Sequence, residues 1–497
     1  MKVNYKFKTK PFKHQIDALR ACTGKKRYAF FMEMGTGKSK VLIDDICRLH
    51  VEKEIHFALI IAPKGVFRNW TEKEIPQHFW STVPVYLSRW SSNLTKALKE
   101  EIHVMIRAGY SKMKIFVMNV EAFSNPSGKG IEAAEWFAKK YGMSGLIAID
   151  ESTTIKNPKS KRTKSLLKIA KHFRYKRILT GSPITQSPMD LYSQCEFLEE
   201  GSLGHSSFYS FQGRYAILNQ KQMGPRSFRQ VIGYKNLEEL TKKLEPLSFR
   251  VLKEDCLDLP KKIYTVRYIT MNSDQEKMYK KIQKEALLMF DNGEIVSTQE
   301  MITQMLRLQQ ILSGHLKSDD GKTISFPTSR LDALIDICQE TSGKLIVWSR
   351  FRYDIISITN KLKELFGEQS AASFFGDTSE KERQRVINEF ENASSKLKFL
   401  VGNPNTAGRG LTLNQAKTVV YYANDFDLDI RTQSEDRCHR IGQDKSVLYI
   451  DLLCEGTIDE KIIKSLKNKI KIGAKVLGED EREWLEIKQM KMRLTQK

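Results

Sequence analysis

The sequence predicts an α/β protein with two lobes, each a parallel sheet flanked by helices. Short apolar runs of strand length recur along the 497 residues, helical stretches separate them, and the runs fall into two groups. Strands that are buried on both faces of a parallel sheet give such continuous apolar runs. At about 100–200 residues per domain, the length also favours more than one domain.

Each lobe contains three apolar runs that predict strands. Those of the first lobe are Phe57–Ala62, Ile115–Val120 and Leu146–Ile149, and those of the second are Leu345–Trp348, Phe399–Val401 and Thr418–Tyr422. Residues 202–258, between the groups, are poor in such runs, which predicts a linking region rather than a third sheet. In Asp274–Gln310, apolar residues recur at three- and four-residue spacing, which predicts helices that pack in a core.

We therefore divide the chain into four predicted parts. Lobe 1 is residues 1–201, and a helical linker follows at residues 202–258. Lobe 2 is residues 259–475, with a helical insertion at about residues 274–328, and a tail covers residues 476–497. No internal repeat of short period is visible.

Composition excludes several classes of protein and suggests a partner. Lys and Arg total 82 against 59 Asp and Glu, and the resulting net charge of +23 suits a polyanion such as nucleic acid. With 40% hydrophobic and 10% aromatic residues, the chain is neither collagen-like nor disordered. The seven cysteines form no C-x-x-C pair, which disfavours a disulfide framework or a zinc ribbon. The basic residues 1–10 are not followed by the apolar segment of a signal peptide, and no apolar stretch reaches bilayer length. We therefore expect an intracellular protein that is not embedded in a membrane.

The sharpest local motif is M-E-M-G-T-G-K-S at Met32–Ser39. It follows the apolar run Tyr28–Phe31 and precedes a predicted helix at Val41–Ile46. In this context glycines let backbone N–H groups surround phosphate oxygens, Lys38 reaches the β- and γ-phosphates, and Ser39 offers a hydroxyl to magnesium. The alternative is a glycine-rich turn with an ordinary lysine, since a methionine occupies the first glycine position of the strict pattern.

Two consecutive acids follow the apolar run L-I-A-I. They are Asp150 and Glu151, and ligands bind at the carboxyl ends of strands in open α/β sheets. Asp150 is predicted to hold magnesium and Glu151 to polarise the attacking water. The alternative is a pair of solvated acids at the end of a strand.

Two arginines lie three residues apart in Q-S-E-D-R-C-H-R-I-G-Q. Arg437 and Arg440 are predicted to share one face of a helix. Arginines on one lobe that point at a nucleotide on the other would stabilise charge on the transferred phosphoryl group. The alternative is that both are solvated or salt-bridged.

Taken in order, these motifs and their neighbours resemble the Swi/Snf (sucrose-nonfermenting-two) ATPase family of superfamily 2 helicase-type motors, in its compact bacterial or viral form. The matching segments are Phe12–Gln15, Glu33–Ser39, Ile61–Trp70, Asp150–Lys161, Leu179–Pro183, Lys344–Phe351, Phe375–Phe390, Ala407–Leu413 and His439–Gln443. The I-K-N after the acids and the H-R-I-G-Q segment point to this family rather than to helicases at large.

The resemblance implies two RecA-like lobes that use ATP and Mg²⁺, and it assigns roles by position. The residues that resemble the family's ATP-binding set are Gln15 for adenine, Gly35, Thr36, Gly37, Lys38 and Ser39 for phosphate, Gly408 and Gly410 for nucleotide sensing, and Gln433 beside the two arginine fingers. Thr180 and Ser182 would couple hydrolysis to lobe movement. Ser152 and Thr153 replace the usual Ala-His, and Arg409 interrupts the glycine-rich motif, but neither departure removes a group needed for hydrolysis.

A basic stretch follows the acidic pair. Residues 152–188 contain ten Lys or Arg and no acid, and the predicted nucleic-acid contacts are Lys156, Lys159, Lys161, Arg162 and Lys164. Such contacts to phosphate would be salt-sensitive and independent of sequence. The alternative is a solvated basic helix.

The resemblance thus implies an ATP-dependent DNA translocase that moves along duplex DNA. It would remodel protein–DNA complexes or branched DNA in replication, recombination or repair, in the cytoplasm of a bacterium or of a virus-infected host cell. Its partners would be double-stranded or branched DNA and a replication, recombination or transcription protein. A strand-separating helicase and a catalytically inactive DNA-binding scaffold are the alternatives.

Overall fold

Two parallel sheets organise the chain in this computed structural model. The structure describes residues 6–93, 95–109, 111–223, 226–291, 298–317, 322–407, 413–440 and 442–479. These residues divide into two compact units. The first unit contains the residues up to Asn219, Val231–Asp258 and the segment that begins at Ile472, and the second contains Gln220–Gln230 and Leu259–Lys471.

The larger sheet belongs to the first unit. The strands up to residue 258 are β1 (Arg27–Met32), β2 (Phe57–Ala62), β3 (Val85–Arg89), β4 (Met113–Asn119), β5 (Gly145–Asp150), β6 (Tyr175–Leu179), β7 (Ala216–Met223), β8 (Arg226–Tyr234) and β9 (Ser248–Val251). The sheet has the order β3-β4-β2-β5-β6-β1-β9, and its neighbouring strands are parallel. β7 and β8 form a separate two-stranded sheet. Because β5, β6 and β1 are adjacent and parallel, the motifs that follow them leave the sheet at one edge.

Helices flank this sheet. They are α1 (Lys13–Cys22), α2 (Lys38–Val51), α3 (Phe67–Asn69), α4 (Ile75–His78), α5 (Lys96–Arg107), α6 (Lys129–Tyr141), α7 (Lys161–Ala170), α8 (Leu191–Leu198), α9 (Phe208–Tyr215), α10 (Leu237–Leu244) and α11 (Lys253–Cys256). A π-helical turn, Trp70–Glu74, connects α3 and α4. Short 3₁₀ turns occur at Val120–Phe123, Gly142–Ser144, Ser152–Ile155, Pro188–Asp190 and Glu245–Leu247.

The second unit has its own parallel sheet, in the order β10-β17-β16-β13-β15-β14. Its strands are β10 (Lys262–Ile269), β13 (Lys344–Ser349), β14 (Ala371–Phe374), β15 (Phe399–Gly402), β16 (Ala416–Ala423) and β17 (Val447–Cys454), with an antiparallel pair β11 (His315–Lys317) and β12 (Thr323–Ser325) apart from it. The helices are α12 (Ser273–Asp291), α13 (Thr298–Leu312), α14 (Ser329–Glu340), α15 (Arg352–Phe366), α16 (Glu380–Glu391), α17 (Pro404–Ala407), α18 (Leu428–Glu435) and α19 (Ile458–Leu477).

The central strands β2 and β13 of the two main sheets are buried on both faces, which explains their continuous apolar runs. Along β2, Phe57, Leu59 and Ile61 pack in one apolar cluster, while Ala58 and Ile60 pack in another. This alternation follows from the two-residue period of a strand. β13 of the second sheet divides its side chains between two clusters in the same way.

The α/β prediction is confirmed, because the apolar runs lie in strands and β2 has the predicted bounds. One predicted strand residue differs, since β4 ends at Asn119 and Val120 begins a 3₁₀ turn. The described residues of Asp274–Gln310 form α12 and α13, as their spacing predicts. The stretch predicted as a helical linker contains strands as well as helices. Its strand β9 pairs with β1, yet it has four residues of which most are half-buried, so it leaves no apolar run in the sequence.

In the part of the chain that the structure describes, no helix has both the length and the apolar character needed to cross a bilayer.

Candidate active site

The loop between β1 and α2 has the conformation of a phosphate-binding turn. Gly35 and Gly37 have φ values of +88° and +87°, a left-handed backbone that residues with a Cβ rarely adopt. Thr36 stabilises the loop, since its Oγ1 donates to the carbonyl of Glu33 at 2.7 Å. α2 begins at Lys38. The first N–H groups of the helix are therefore available to an anion, with a buried lysine beside them.

Two side chains of α1 hold this loop from the other side. Gln15 Nε2 donates to the carbonyl of Thr36 at 3.0 Å, and His14 Nε2 lies 2.8 Å from the same oxygen. Gln15 Oε1 in turn accepts the N–H of Phe12 at 3.0 Å. The structure thus places Gln15, predicted to contact adenine, directly against the phosphate loop.

We expect Gly37→Ala to weaken nucleotide binding by about tenfold or more. A Cβ at this position would overlap Nε2 of Gln15, and a left-handed residue with a side chain costs roughly 1–2 kcal/mol. Titration with a fluorescent ATP analogue measures the effect. The control is Gly343→Ala, because a Cβ there meets nothing within 4 Å and its φ is not positive. Equal affinities for the Gly37 variant and the wild type would contradict the prediction.

Asp150 is a buried carboxylate at the end of β5, and it receives two N–H donors. Oδ2 accepts the indole Nε1–H of Trp70 at 3.0 Å, and Oδ1 accepts the backbone N–H of Glu151 at 3.1 Å. Burial raises the pKa of Asp150 to about 7, and the negative charge of Glu151 adds to this shift. A cation beside Asp150 would favour its charged form. Carboxylate and hydroxyl oxygens suit Mg²⁺, so Asp150 and Ser39 fit the predicted metal.

Glu151 lies beside the predicted coupling motif. Its φ of +51° is unusual for a residue with a side chain, and such strain is common at functional sites. Thr180 Oγ1 lies 3.4 Å from Glu151 Oε2, and it accepts the N–H of Ser182 at 3.2 Å. A Cβ at Gly181 would lie 3.1 Å from the backbone N of Met34. The structure therefore brings the acidic pair, the phosphate loop and the residues after β6 to one edge of the first sheet.

The first residue after the acids, Ser152, has a structural partner. Ser152 is buried, and its Oγ donates to Oε1 of Gln194 at 2.6 Å. The amide nitrogen of Gln194 donates to the carbonyls of Pro183 and Asp190, each at 2.8 Å. Ser152, which replaces the family's usual alanine, thus connects the acidic loop to α8 and to the coupling motif.

The residues of the basic stretch differ in their exposure and in their partners. Lys159, Lys161 and Lys164 are exposed near the start of α7. The other two predicted nucleic-acid contacts are engaged, because Lys156 Nζ donates to Thr185 Oγ1 and the Arg162 guanidinium donates to Ser124 Oγ. Further along, ion pairs with acids hold Lys168, Lys171, Arg174 and Arg177.

The predicted finger arginines lie in the second unit, in the turns that follow α18. The prediction that they share a helix face is wrong, because α18 ends at Glu435. Beyond α18, the N–H of Gln443 donates to the carbonyl of Arg440 at 3.0 Å. Arg437 is buried and Arg440 is half-buried. Gln433 is on α18, where its amide donates to Asp429 at 3.0 Å.

Some predicted residues lie outside the described part of the chain, and one important residue was missed. Gly408, Arg409 and Gly410 are outside the described residues. Trp70 contacts Asp150 across 80 residues of sequence, and no spacing in the sequence signals this contact. The sequence indicated a role for Trp70 only through its position at the end of the family-like segment Ile61–Trp70.

A phosphate loop after β1, an acidic pair at the end of β5 in the same sheet and a second parallel-sheet unit define a P-loop protein with two α/β units. Comparison with family models narrows the class. The SNF2-related domain matches residues 20–315, and the helicase conserved C-terminal domain matches residues 329–442. The chain belongs to the SNF2-related family.

Curated relatives agree with this assignment. The uncharacterized ATP-dependent helicase MG018 of Mycoplasma genitalium is 25% identical over 90% of this chain and 40% of its own length. The putative ATP-dependent helicase/translocase YwqA of Bacillus subtilis is 25% identical over 88% of this chain and 45% of its own length. This chain thus spans less than half the length of these relatives. Among solved structures, the Sulfolobus solfataricus SWI2/SNF2 ATPase core in complex with double-stranded DNA matches with a TM-score of 0.41, 23% identity and coverage of 93% of this chain and 91% of that one.

Proposed function

We propose that this chain hydrolyses ATP and uses the energy to move along duplex DNA. The observation that carries the proposal is the arrangement at one sheet edge, where the phosphate loop, the acidic pair and Thr180 lie together. Lys38 would bind the β- and γ-phosphates, and Ser39 and Asp150 would hold Mg²⁺, which neutralises phosphate charge when bound. Family membership and the names of the helicase relatives support this reading.

Glu151 is the group that would activate water. A carboxylate can accept a proton from water as water attacks the γ-phosphate, and the nearby hydroxyl of Thr180 restricts its position. Arg437 and Arg440 of the second unit would stabilise charge on the transferred phosphoryl group. Gln15 supports the shape of the phosphate loop through its hydrogen bond to Thr36.

Duplex DNA is the proposed track. Three exposed lysines near the start of α7, together with the net charge of +23, suit contacts to the phosphate backbone. Contacts of this kind fix the position of a protein on DNA without reading sequence, as a translocase requires. We further propose that the chain acts on protein–DNA complexes or branched DNA in replication, recombination or repair.

ATP hydrolysis by the purified chain tests the proposal. The assay compares no nucleic acid, duplex DNA, single-stranded DNA and RNA, with Lys38→Ala and Glu151→Gln beside the wild type. Stimulation by duplex DNA that both variants lose is expected. Stimulation by single strands alone would favour a strand-separating helicase, and absence of hydrolysis under every condition would leave a DNA-binding scaffold.

The α7 lysines provide a second test. Each of Lys161→Gln and Lys164→Gln is expected to lower the slope of log affinity against log salt by about 1, uniformly across DNA sequences. Fluorescence anisotropy with labelled duplexes between 50 and 200 mM salt, roughly the range over which such contacts weaken, measures the slope. Lys168→Gln is the matched control on the same helix, because Lys168 already pairs with Glu135 at 3.1 Å. Identical slopes for all four proteins would argue against DNA on this face.

A further inference from the structure

The indole of Trp70 fixes one oxygen of the predicted magnesium ligand. Its Nε1–H donates to Asp150 Oδ2 at 3.0 Å, while the backbone N–H of Glu151 donates to Oδ1 at 3.1 Å. Trp70 is 1% exposed, so water does not compete for this hydrogen bond. With one protein donor on each oxygen, the plane of the carboxylate is fixed, and each oxygen keeps a lone pair for another partner.

A π-helical turn orients the indole of Trp70 toward Asp150. Trp70 begins the π-helical turn, in which the N–H of Ile75 donates to the carbonyl of Trp70 five residues earlier. In an α-helix, residues five apart point about 140° away from each other. The wider turn brings Trp70 and Ile75 to the same side, and both are buried in one apolar cluster with Phe79. π-helical turns occur often at functional sites.

Burial of a tryptophan in this chain does not require a carboxylate to accept its indole N–H. Trp348 in the second unit is fully buried, and within the described residues its Nε1 has no hydrogen-bond partner. The hydrogen bond between Trp70 and Asp150 is therefore not a general consequence of burying tryptophan. It belongs to the edge of the first sheet where the phosphate loop and the acidic pair lie.

We propose that Trp70 is a positioning residue that orients Asp150 toward the magnesium ion of the bound nucleotide. The inference rests on the proposed function, since it presupposes that the site takes magnesium nucleotide. Groups that hydrogen-bond to a metal ligand fix its orientation, and their loss costs about 10–100-fold in metal affinity or activity. Trp70 would act in this way through Asp150 and without touching the nucleotide.

Trp70→Phe tests the proposal, because phenylalanine keeps an aromatic ring in the cluster and removes the N–H. Binding of a fluorescent ATP analogue is titrated in EDTA and then at increasing Mg²⁺. We expect an affinity in EDTA within about twofold of the wild type, and a Mg²⁺ concentration for half-maximal tightening that rises about tenfold or more. Trp348→Phe, which removes a second buried indole, is expected to leave both quantities unchanged.

A merely structural role predicts a different pattern. If Trp70→Phe weakened binding equally with and without Mg²⁺, or left the Mg²⁺ requirement unchanged, the positioning role would be overturned. In an Asp150→Asn background, Trp70→Phe is expected to add no further change in the Mg²⁺ requirement.

If the wild type itself bound nucleotide without any Mg²⁺ dependence, the proposed function would fail first. Should Trp70→Phe not fold, benzothienylalanine at position 70 keeps the shape of the indole and lacks its N–H.

Discussion

Glu151→Gln is expected to lower the turnover number for ATP by about 10²–10⁴-fold while ATP affinity changes little. Glutamine keeps the length of the side chain and an oxygen that can accept from Thr180 Oγ1. It cannot accept a proton from the attacking water, so only the transition state loses stabilisation. Steady-state hydrolysis with duplex DNA present, together with nucleotide binding, separates the two quantities.

Two comparison variants make this result specific. Lys38→Ala is expected to weaken ATP binding as well as turnover, because Lys38 would contact phosphate in both the ground state and the transition state. Glu54→Gln removes a carboxylate of the same unit that instead contacts Tyr175 and Arg174 near the opposite edge of the sheet, and it is expected to hydrolyse ATP normally. Turnover of Glu151→Gln within tenfold of the wild type would remove Glu151 from the role of base.

The parts of the fold that the sequence predicted are those encoded by local pattern. β2 appears with the predicted bounds because both of its faces are buried, which leaves six apolar residues in a row. α2 extends beyond the predicted Val41–Ile46 at both ends. It begins at Lys38, directly after the left-handed Gly37, and ends at Val51. β9 escaped prediction because it is short and half-buried, and its place in the sheet depends on β1, more than 200 residues away.

In the candidate active site, too, the sequence predicted the features encoded by local pattern and missed those that depend on distant residues. The phosphate loop and the acidic pair are contiguous motifs, so their positions at strand ends followed from the runs before them. The contact between Trp70 and Asp150 depends on a π-helical turn and on packing across the sheet, neither of which leaves a periodic pattern. The prediction of a helix at Arg437 and Arg440 was wrong, because α18 ends before both residues. A three-residue spacing is compatible with turns as well as with a helix.

A buried ion network connects the phosphate-loop helix α2 to β6 in the first unit. Asp45 of α2 is fully buried, and it pairs with Arg48 at 2.7 Å and with Arg177 of β6 at 2.9 Å. Arg177 also donates to the backbone carbonyls of Lys25 and Lys26, each at 3.0 Å, just before β1. Asp45 thus compensates the buried guanidinium of Arg177 where α2, β6 and the start of β1 meet, and it shares Arg48 with Glu52, which lies 2.6 Å from that guanidinium.

The pKa values of two neighbouring acids of α2, Asp44 and Asp45, are shifted in opposite directions. Burial opposes ionisation of Asp45, yet the charges of Arg177 and Arg48 hold its pKa below the ordinary value. Burial raises the pKa of Asp44 to about 6, although Lys40 lies 2.8 Å away. Because the pKa of Asp45 is lower in the folded state, its stabilising contribution is fully present above the unfolded pKa of about 3.9 and is lost as the pH falls through the folded value.

Asp45→Asn is expected to lower the free energy of unfolding of the first unit by about 3–5 kcal/mol at pH 7, since it leaves buried guanidinium charge uncompensated. Urea unfolding followed by tryptophan fluorescence measures this, because four of the six tryptophans lie in the first unit. The control Asp17→Asn breaks an exposed pair with Arg20 and should cost less than about 1 kcal/mol. The difference between wild type and Asp45→Asn should shrink as the pH falls below about 4, where Asp45 loses its charge in the unfolded chain first. Coincident urea midpoints at pH 7 would show that the network contributes no stability.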